Sequence, residues 1–414
     1  MEVVQKVNTK KRKYFIKDFS ANLERAEDVT VASDGVYEGY GFYDTELNFN
    51  SEEPQAIFSA NGKIYSYSDI VYELTENGER ELSYCGGCPA VQEIIYRGKK
   101  FTLFLSDEMN GFGVDAYGNL IPVELPDTEY SAVLGGRLFG AYNQNVYFTK
   151  QFDFDNKTTR LVVDGTLSLS ESSGKVVGLS VKERKLYIFC QRAIYKLDAF
   201  GESTDFKLEK LMVGNIDVKE HSVQDVYEQT VFVSANKIYS FNQNKIKQIS
   251  TLPKWLQISK TGYSASAQSL YILPIFTKDG KNIYYLLDVE DYSFSVVDFN
   301  GGAVCKGGYF CAEDKTVKRV DRFGQKSKNG FIKFKPIDMG VFNDKSLLSV
   351  CAFVGEDCKL KVSGDSGSKN FSLKKGCNKR RLNFLSKSFT FEFSQIGEGF
   401  SLSDFYLEYT VKGE

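Results

Sequence analysis

The chain has 414 residues, with 52 Lys and Arg against 54 Asp and Glu and a formal net charge of −2. That length supports more than one folding unit, and the balanced charge excludes a partner chosen by overall charge alone, whether nucleic acid or acidic substrate. A 42% hydrophobic fraction and only 7 Pro exclude a disordered chain, while 33 Phe, 25 Tyr and 35 Gly beside one Trp, four Met and one His point to pleated sheets and turns.

The first twenty residues, MEVVQKVNTKKRKYFIKDFS, lack the apolar core of a secretory signal, and no window has the uninterrupted apolar run of a membrane helix. The eight cysteines are spread along the chain without a dense framework. Synthesis in a cytoplasm with reduced thiols and no membrane anchor is therefore expected. Residues 1–30 are charge-rich and read as an N-terminal arm without a core of its own, one that orders on a neighbouring subunit. Its apolar residues Tyr14, Phe15, Ile16 and Phe19 are interleaved with Lys and Asp.

Helical periodicity is scarce: Leu23–Asp28 and Ile216–Val226 hold at most a turn or two. Strand signals recur instead at 62–74, 99–107, 145–154, 184–198, 229–242, 268–276 and 282–299, each alternating apolar and polar residues between turn formers. Within KLYIFCQRAIYKLD and TVFVSANKIYSFN the order is strand, short turn, strand. Recurrence at roughly forty to fifty residues is the spacing of propeller blades. From Phe331 onward the short strands continue without that hairpin pattern. The expected fold is all-β: a β-propeller-like body over 31–330, bordered near 325–332, and a small C-terminal β-sandwich over 331–414.

Few residues suggest chemistry. His221 lies in the polar stretch VKEHSVQD and reads as a surface-loop or strand-edge residue. Cys85-Gly86-Gly87-Cys88 is a CxxC without a second ligand pair, since Cys305 and Cys311 are poorly spaced, so it reads as a tight turn flanked by small thiols. Asp153-Phe154-Asp155-Asn156 lacks the glycine and distal Glu of a calcium loop. No nucleophile elbow, P-loop or dinucleotide fingerprint is present, so no catalytic residue, cofactor or metal is assigned. Two basic clusters remain as partner-binding candidates: Lys10, Lys11, Arg12 and Lys13 with Tyr14, Phe15 and Phe19, and Lys379, Arg380 and Arg381 near Lys374 and Lys375.

The segment Leu134-Gly135-Gly136-Arg137-Leu138-Phe139-Gly140, followed by Asn145-Val146-Tyr147-Phe148-Thr149, is similar to a hairpin of known virion proteins. Gly174-Lys175-Val176-Val177-Gly178-Leu179 with Leu186-Tyr187-Ile188-Phe189 and Ile194-Tyr195 matches a second hairpin of those proteins. The opening through Phe19 and Gly35–Phe42, and the ending with Lys335-Pro336-Ile337-Asp338-Met339-Gly340 and Leu407-Glu408-Tyr409, extend the likeness over most of the chain. In these features the chain resembles the packaged-DNA stabilisation or tail-hub proteins, and the related tail nozzle proteins, of tailed phages. It departs at Phe148-Thr149-Lys150, where those proteins carry Phe-Ser-Asp. The resemblance implies a virion structural protein, not an enzyme. It would form a ring, a hexamer by preference, at the neck or tail, contacting neck, portal-adaptor or tail proteins, with non-specific DNA contact in the lumen. The alternative from the sequence is a carbohydrate-binding or carbohydrate-cleaving propeller at a cell surface, against which stand the missing signal peptide and the single Trp255.

Overall fold

A computed structural model of the chain describes residues 11–412 apart from 33, 50–53, 97, 109–110, 152–160, 214–215, 243, 298–303, 306–308, 312–314 and 322–329. The all-β expectation holds: short antiparallel sheets account for the fold, and the α-helix present among the described residues is the single turn Phe19–Asn22. Five successive stretches, 56–84, 90–122, 130–168, 176–213 and 224–251, each fold into a four-stranded antiparallel meander. These meanders contain the hairpins read from the sequence, such as Lys185–Cys190 with Ala193–Asp198 and Gln229–Ser234 with Lys237–Asn242.

The sixth sheet contains Ala265–Ala267, Leu270–Thr277, Asn282–Asp288 and Phe294–Val297, with Ile258–Thr261 pairing the far half of Leu270–Thr277. The seventh takes three strands, Val304–Cys305, Tyr309–Cys311 and Thr316–Asp321, from the same part of the chain. Its fourth comes from far upstream: Gly41–Asn48 pairs antiparallel with Thr316–Asp321, Tyr43 opposite Arg319 and Asp44 opposite Lys318.

The first strand of each meander touches the first strand of the next, and that of the seventh touches that of the first, so the seven sheets close a ring. Each gap between neighbouring sheets has an apolar core. Phe104 and Phe112 stack at 4.9 Å between the first and second sheets. Phe189 and Phe232 meet at 5.6 Å between the fourth and fifth. Phe49, Ile57, Leu74 and Val317 fill the closing gap between the seventh and first. Near the axis the inner strands approach closely: a Cβ on Gly178 would lie 2.5 Å from Val223 of the next sheet, so a bulkier residue there would push two sheets apart.

Beyond the ring lies a two-sheet unit. One sheet runs Leu23–Glu27, Gly330–Phe334, Thr390–Ile396, Cys358–Gly364 and Gly367–Leu373. The other is built on Ser401–Val411, Lys345–Val354 and Gly376–Ser386, with Arg12–Phe15 pairing Ser401–Val411. Alternate residues of Ser401–Val411 are buried, as a strand covered on one face requires. Phe334, Phe391, Phe393 and Phe405 form the centre of this core, with Phe405 in ring contact with each of the other three at 5.1–5.6 Å. The two units share one hydrogen-bonded sheet: Phe294–Val297 of the ring pairs Val29–Val31, which pairs Val36–Glu38, which pairs the start of Ser401–Val411.

Two expectations are corrected. The 1–30 segment is no free arm over its described part: Arg12–Phe15 is a sheet strand, and Ile16, Phe19 and Leu23 are buried in the two-sheet core. The alternation of Lys with aromatics is that of a strand with one wet face, whose partner lies at the other end of the sequence. Leu23–Asp28 is not helical either, since Leu23–Glu27 pairs with Gly330–Phe334. The expected border near 325–332 falls mostly outside the described residues, and the two-sheet unit resumes at Gly330.

One buried charge helps hold the two-sheet unit. Lys345 is 0% exposed, and its ammonium donates to the carbonyls of Val341, Asn343 and Lys387 at 2.5, 2.8 and 2.6 Å. Replacing it by Met keeps the stem and orphans three acceptors, so Lys345→Met is expected to cost about 2–4 kcal/mol in denaturant unfolding, and wild-type stability would contradict this account. Phe19 is 2% exposed and packs on Phe334 at 6.0 Å. Phe19→Ala is expected to lose about 3–5 kcal/mol by the same measurement, whereas a loss under about 1 kcal/mol would mean that the segment contributes no core.

Candidate functional site

Each meander enters through its inner strand, so the connections preceding those strands gather at one end of the ring, around the axis. Six side chains converge there from five sheets: Cys88, Glu129, Lys175, Glu220, His221 and Tyr263. Glu220, His221, Cys88 and Tyr263 line a cavity of about 1080 Å³. His221 and Tyr263 also line a second cavity of about 390 Å³ between the inner strands, reached by Glu129 and Tyr130. Together the two form the mouth and upper part of a central channel.

His221 is half-buried in this mouth, not at a surface-loop or strand-edge position as the sequence suggests. Its backbone adopts φ 58°, a left-handed conformation, and its carbonyl accepts from the Ser264 N–H at 2.8 Å. Its ring lies 4.0 Å from the Tyr263 ring, and Nδ1 is 3.2 Å from the Tyr130 hydroxyl. Burial pulls the imidazole below its ordinary pKa, with Glu220 opposing. Burial pushes the Glu129 carboxyl up, although its hydrogen bond with Tyr130 works the other way. Lys175 Nζ lies 2.9 Å from Glu220 Oε1, and that contact raises the lysine. One donor atom from each of Glu129, Glu220 and His221 lies within 4.8 Å of the others.

The CxxC contributes in part. Cys85 is buried, whereas Cys88 is half-buried at the mouth, hydrogen-bonded with Tyr263. Burial pushes the Cys88 thiol up to about 12, so it stays a protonated hydrogen-bonding group at neutral pH. Glu129, Tyr130, Lys175, Glu220 and Tyr263 carry no motif. What they share is a position at the start of an inner strand or just ahead of one, a signal usable only after the strand order is known. Asp153–Asn156 lie outside the described residues.

The two basic clusters converge elsewhere. On the outer face of the two-sheet unit, Phe15 lies opposite Tyr406, Tyr406 opposite Cys351, and Cys351 opposite Lys379. In the next row Lys13, Glu408, Ser349 and Arg381 are in register. Directly opposed residues share a face, so segments from opposite ends of the sequence form one surface. Phe15 is 52% exposed and 5.0 Å from the Tyr406 ring, over which the Lys13 ammonium sits at 5.1 Å. Lys379 pairs with Glu408 at 2.6 Å, and Phe353 adds a 42% exposed ring.

The remaining candidates point away from this surface or are paired. Tyr14 packs against the core and Phe19 lies within it. Arg12 shares the register of Tyr409 rather than that of Glu408. Arg380 donates to the Ser372 carbonyl, while Lys374 and Lys375 pair with Asp357 and Glu356. Lys11 is exposed, and Lys10 lies outside the described residues.

No protein-family model matches the chain, and no curated protein matches it. Among solved structures it is similar to PorZ, a bacterial surface component of the type-IX secretion system of Porphyromonas gingivalis, at 10% identity and TM-score 0.45 over 80% of this chain. The chain spans 46% of that protein's length. It is also similar to the CNH domain of AfRom2 (8% identity, TM-score 0.45, 68% of this chain and 99% of that one). A third similar structure is the WD40 repeats of RRP9 (9% identity, TM-score 0.45, 68% and 97%).

The thiol environments give a direct check of the mouth and of the outer face. Cys377 is exposed on the outer face, while burial pushes Cys88, Cys190 and Cys358 each up to about 12. Brief maleimide treatment of the native protein at neutral pH, read by peptide mass spectrometry, is expected to label Cys377 and leave those three unmodified. Rapid labelling of Cys88 would contradict the description of the mouth.

Proposed function

We propose that the chain is a non-enzymatic scaffold: a seven-bladed β-propeller, closed by Gly41–Asn48, that carries a two-sheet β-sandwich. Its setting is the neck or tail of a tailed-phage virion, as an architectural ring component. The sequence resemblance supplies that setting, and the ring of sheets is compatible with it. Closed rings of sheets are stiff because each blade packs on two neighbours, which suits a part that transmits load and presents broad faces. The shared sheet through Val29–Val31 and Val36–Glu38 fastens the sandwich to the propeller, so a partner held by one is held by both.

The observation that carries the partner assignment is the outer sandwich face, where Phe15, Tyr406 and Phe353 stand beside Lys13, Lys379 and Arg381 with Glu408 opposing them. Exposed rings supply area and the cations supply orientation, so the face fits an anionic protein surface of another virion component. Assembly through this face replaces insertion of a free arm, since the arm's apolar residues Ile16 and Phe19 are already buried in their own chain.

The test is a Phe15→Asp, Lys379→Glu, Arg381→Glu variant supplied to particles in place of the wild type. Its melting temperature is expected to match wild type within a few degrees while its incorporation falls at least tenfold. Normal incorporation of the variant would refute the face. Absence of the wild-type chain from purified particles would refute the virion setting.

A further inference from the structure

We propose that Glu129, Glu220 and His221 form a binding site for one divalent transition-metal ion at the mouth of the central channel. Two carboxylates and an imidazole are a donor set suited to zinc, manganese or cobalt. Their donor atoms already lie within 4.8 Å of one another. Ligand bonds of about 2.0–2.2 Å in a tetrahedral shell place donors about 3.4 Å apart, so the three side chains close in by up to about 1.4 Å and solvent takes the fourth position.

The supports are those of a built site. Glu129 directly precedes the third inner strand, and Glu220 and His221 lie in the turn ahead of the fifth, so the ligands come from two separate sheets. The Tyr130 hydroxyl, 3.2 Å from Nδ1, and the Tyr263 ring, 4.0 Å from the imidazole, orient the histidine as outer partners orient a metal-bound ring. The cavity of about 1080 Å³ that Glu220 and His221 line gives an ion a route from solvent.

One carboxylate of the cluster already faces a cationic side chain. The Lys175 ammonium is held 2.9 Å from Glu220 Oε1. The Lys175 side chain is 32% exposed, on a flexible stem, and can swing into solvent when an ion takes its place. Lys175 is thus the competitor that the metal displaces, and its removal should strengthen binding.

Sequence reading counts only thiols and one imidazole toward a metal site and finds too few. The missing ligands are carboxylates that the ring brings together from separate sheets. The site is independent of any role in a virion.

The experiment titrates the chelator-treated full chain with cobalt(II), then with zinc and manganese. Expected are one equivalent of saturable binding and a cobalt spectrum without thiolate charge-transfer bands. His221→Ala and the isosteric Glu129→Gln, Glu220→Gln pair should each weaken binding at least tenfold, while Lys175→Met should tighten it about tenfold. Circular dichroism melting checks that each variant is folded. Failure of both wild type and Lys175→Met to bind would overturn the proposal. So would binding that survives His221→Ala combined with Glu129→Gln, or a thiolate band abolished by Cys88→Ser.

Discussion

Pairing between Gly41–Asn48 and Thr316–Asp321 is the contact on which the rest of the structure depends. Without it the seventh sheet ends at Thr316–Asp321 as an unpaired edge, the condition that β proteins avoid. With it, the seventh and first sheets meet across Phe49, Ile57, Leu74 and Val317. The connecting strands reinforce it: Val29–Val31 and Val36–Glu38 hold the approach to Gly41 between the sixth sheet and Ser401–Val411, so the closing strand is delivered in register.

Local pairing was legible in the sequence and distant pairing was not. Leu186-Tyr187-Ile188-Phe189 and Ile194-Tyr195 announce a hairpin because a short turn brings them together. Arg12–Phe15 shows the same alternation, but its partner is Ser401–Val411, and no spacing rule connects the two. The segment therefore reads as an arm, although Ile16 and Phe19 have a core to enter. The same limit applies to function. His221 and Cys88 attract notice as rare residues, whereas Glu129, Lys175 and Glu220 are ordinary charges until the ring places them around one axis. The basic clusters were visible as composition, but that Lys13 and Arg381 share a face follows only from the register of four strands.

The two candidate regions differ in solvent exposure. At the channel mouth, charges are half-buried among Tyr130, Tyr263 and His221, where a neighbour within a few ångströms alters protonation. On the outer face, Lys13, Lys379 and Arg381 lie in water, where each contact is individually weak and salt-dependent, and a partner is held by the sum of many contacts. A small cation suits the first setting and a broad anionic surface the second.

The interlacing of early and late strands also sets a timetable for synthesis. Leu23–Glu27 needs Gly330–Phe334, and Arg12–Phe15 needs Ser401–Val411. At a ribosomal rate of about 5–20 residues per second, those upstream strands wait on the order of tens of seconds for their partners. The five consecutive meanders need no such delay, since each is complete soon after its last strand emerges. During that interval the nascent chain carries unsatisfied strand edges and the aromatic side chains of Tyr14 and Phe19 uncovered, a substrate for holding chaperones. Completion of Ser401–Val411, not of the upstream strands, then decides when the two-sheet unit becomes resistant to proteases.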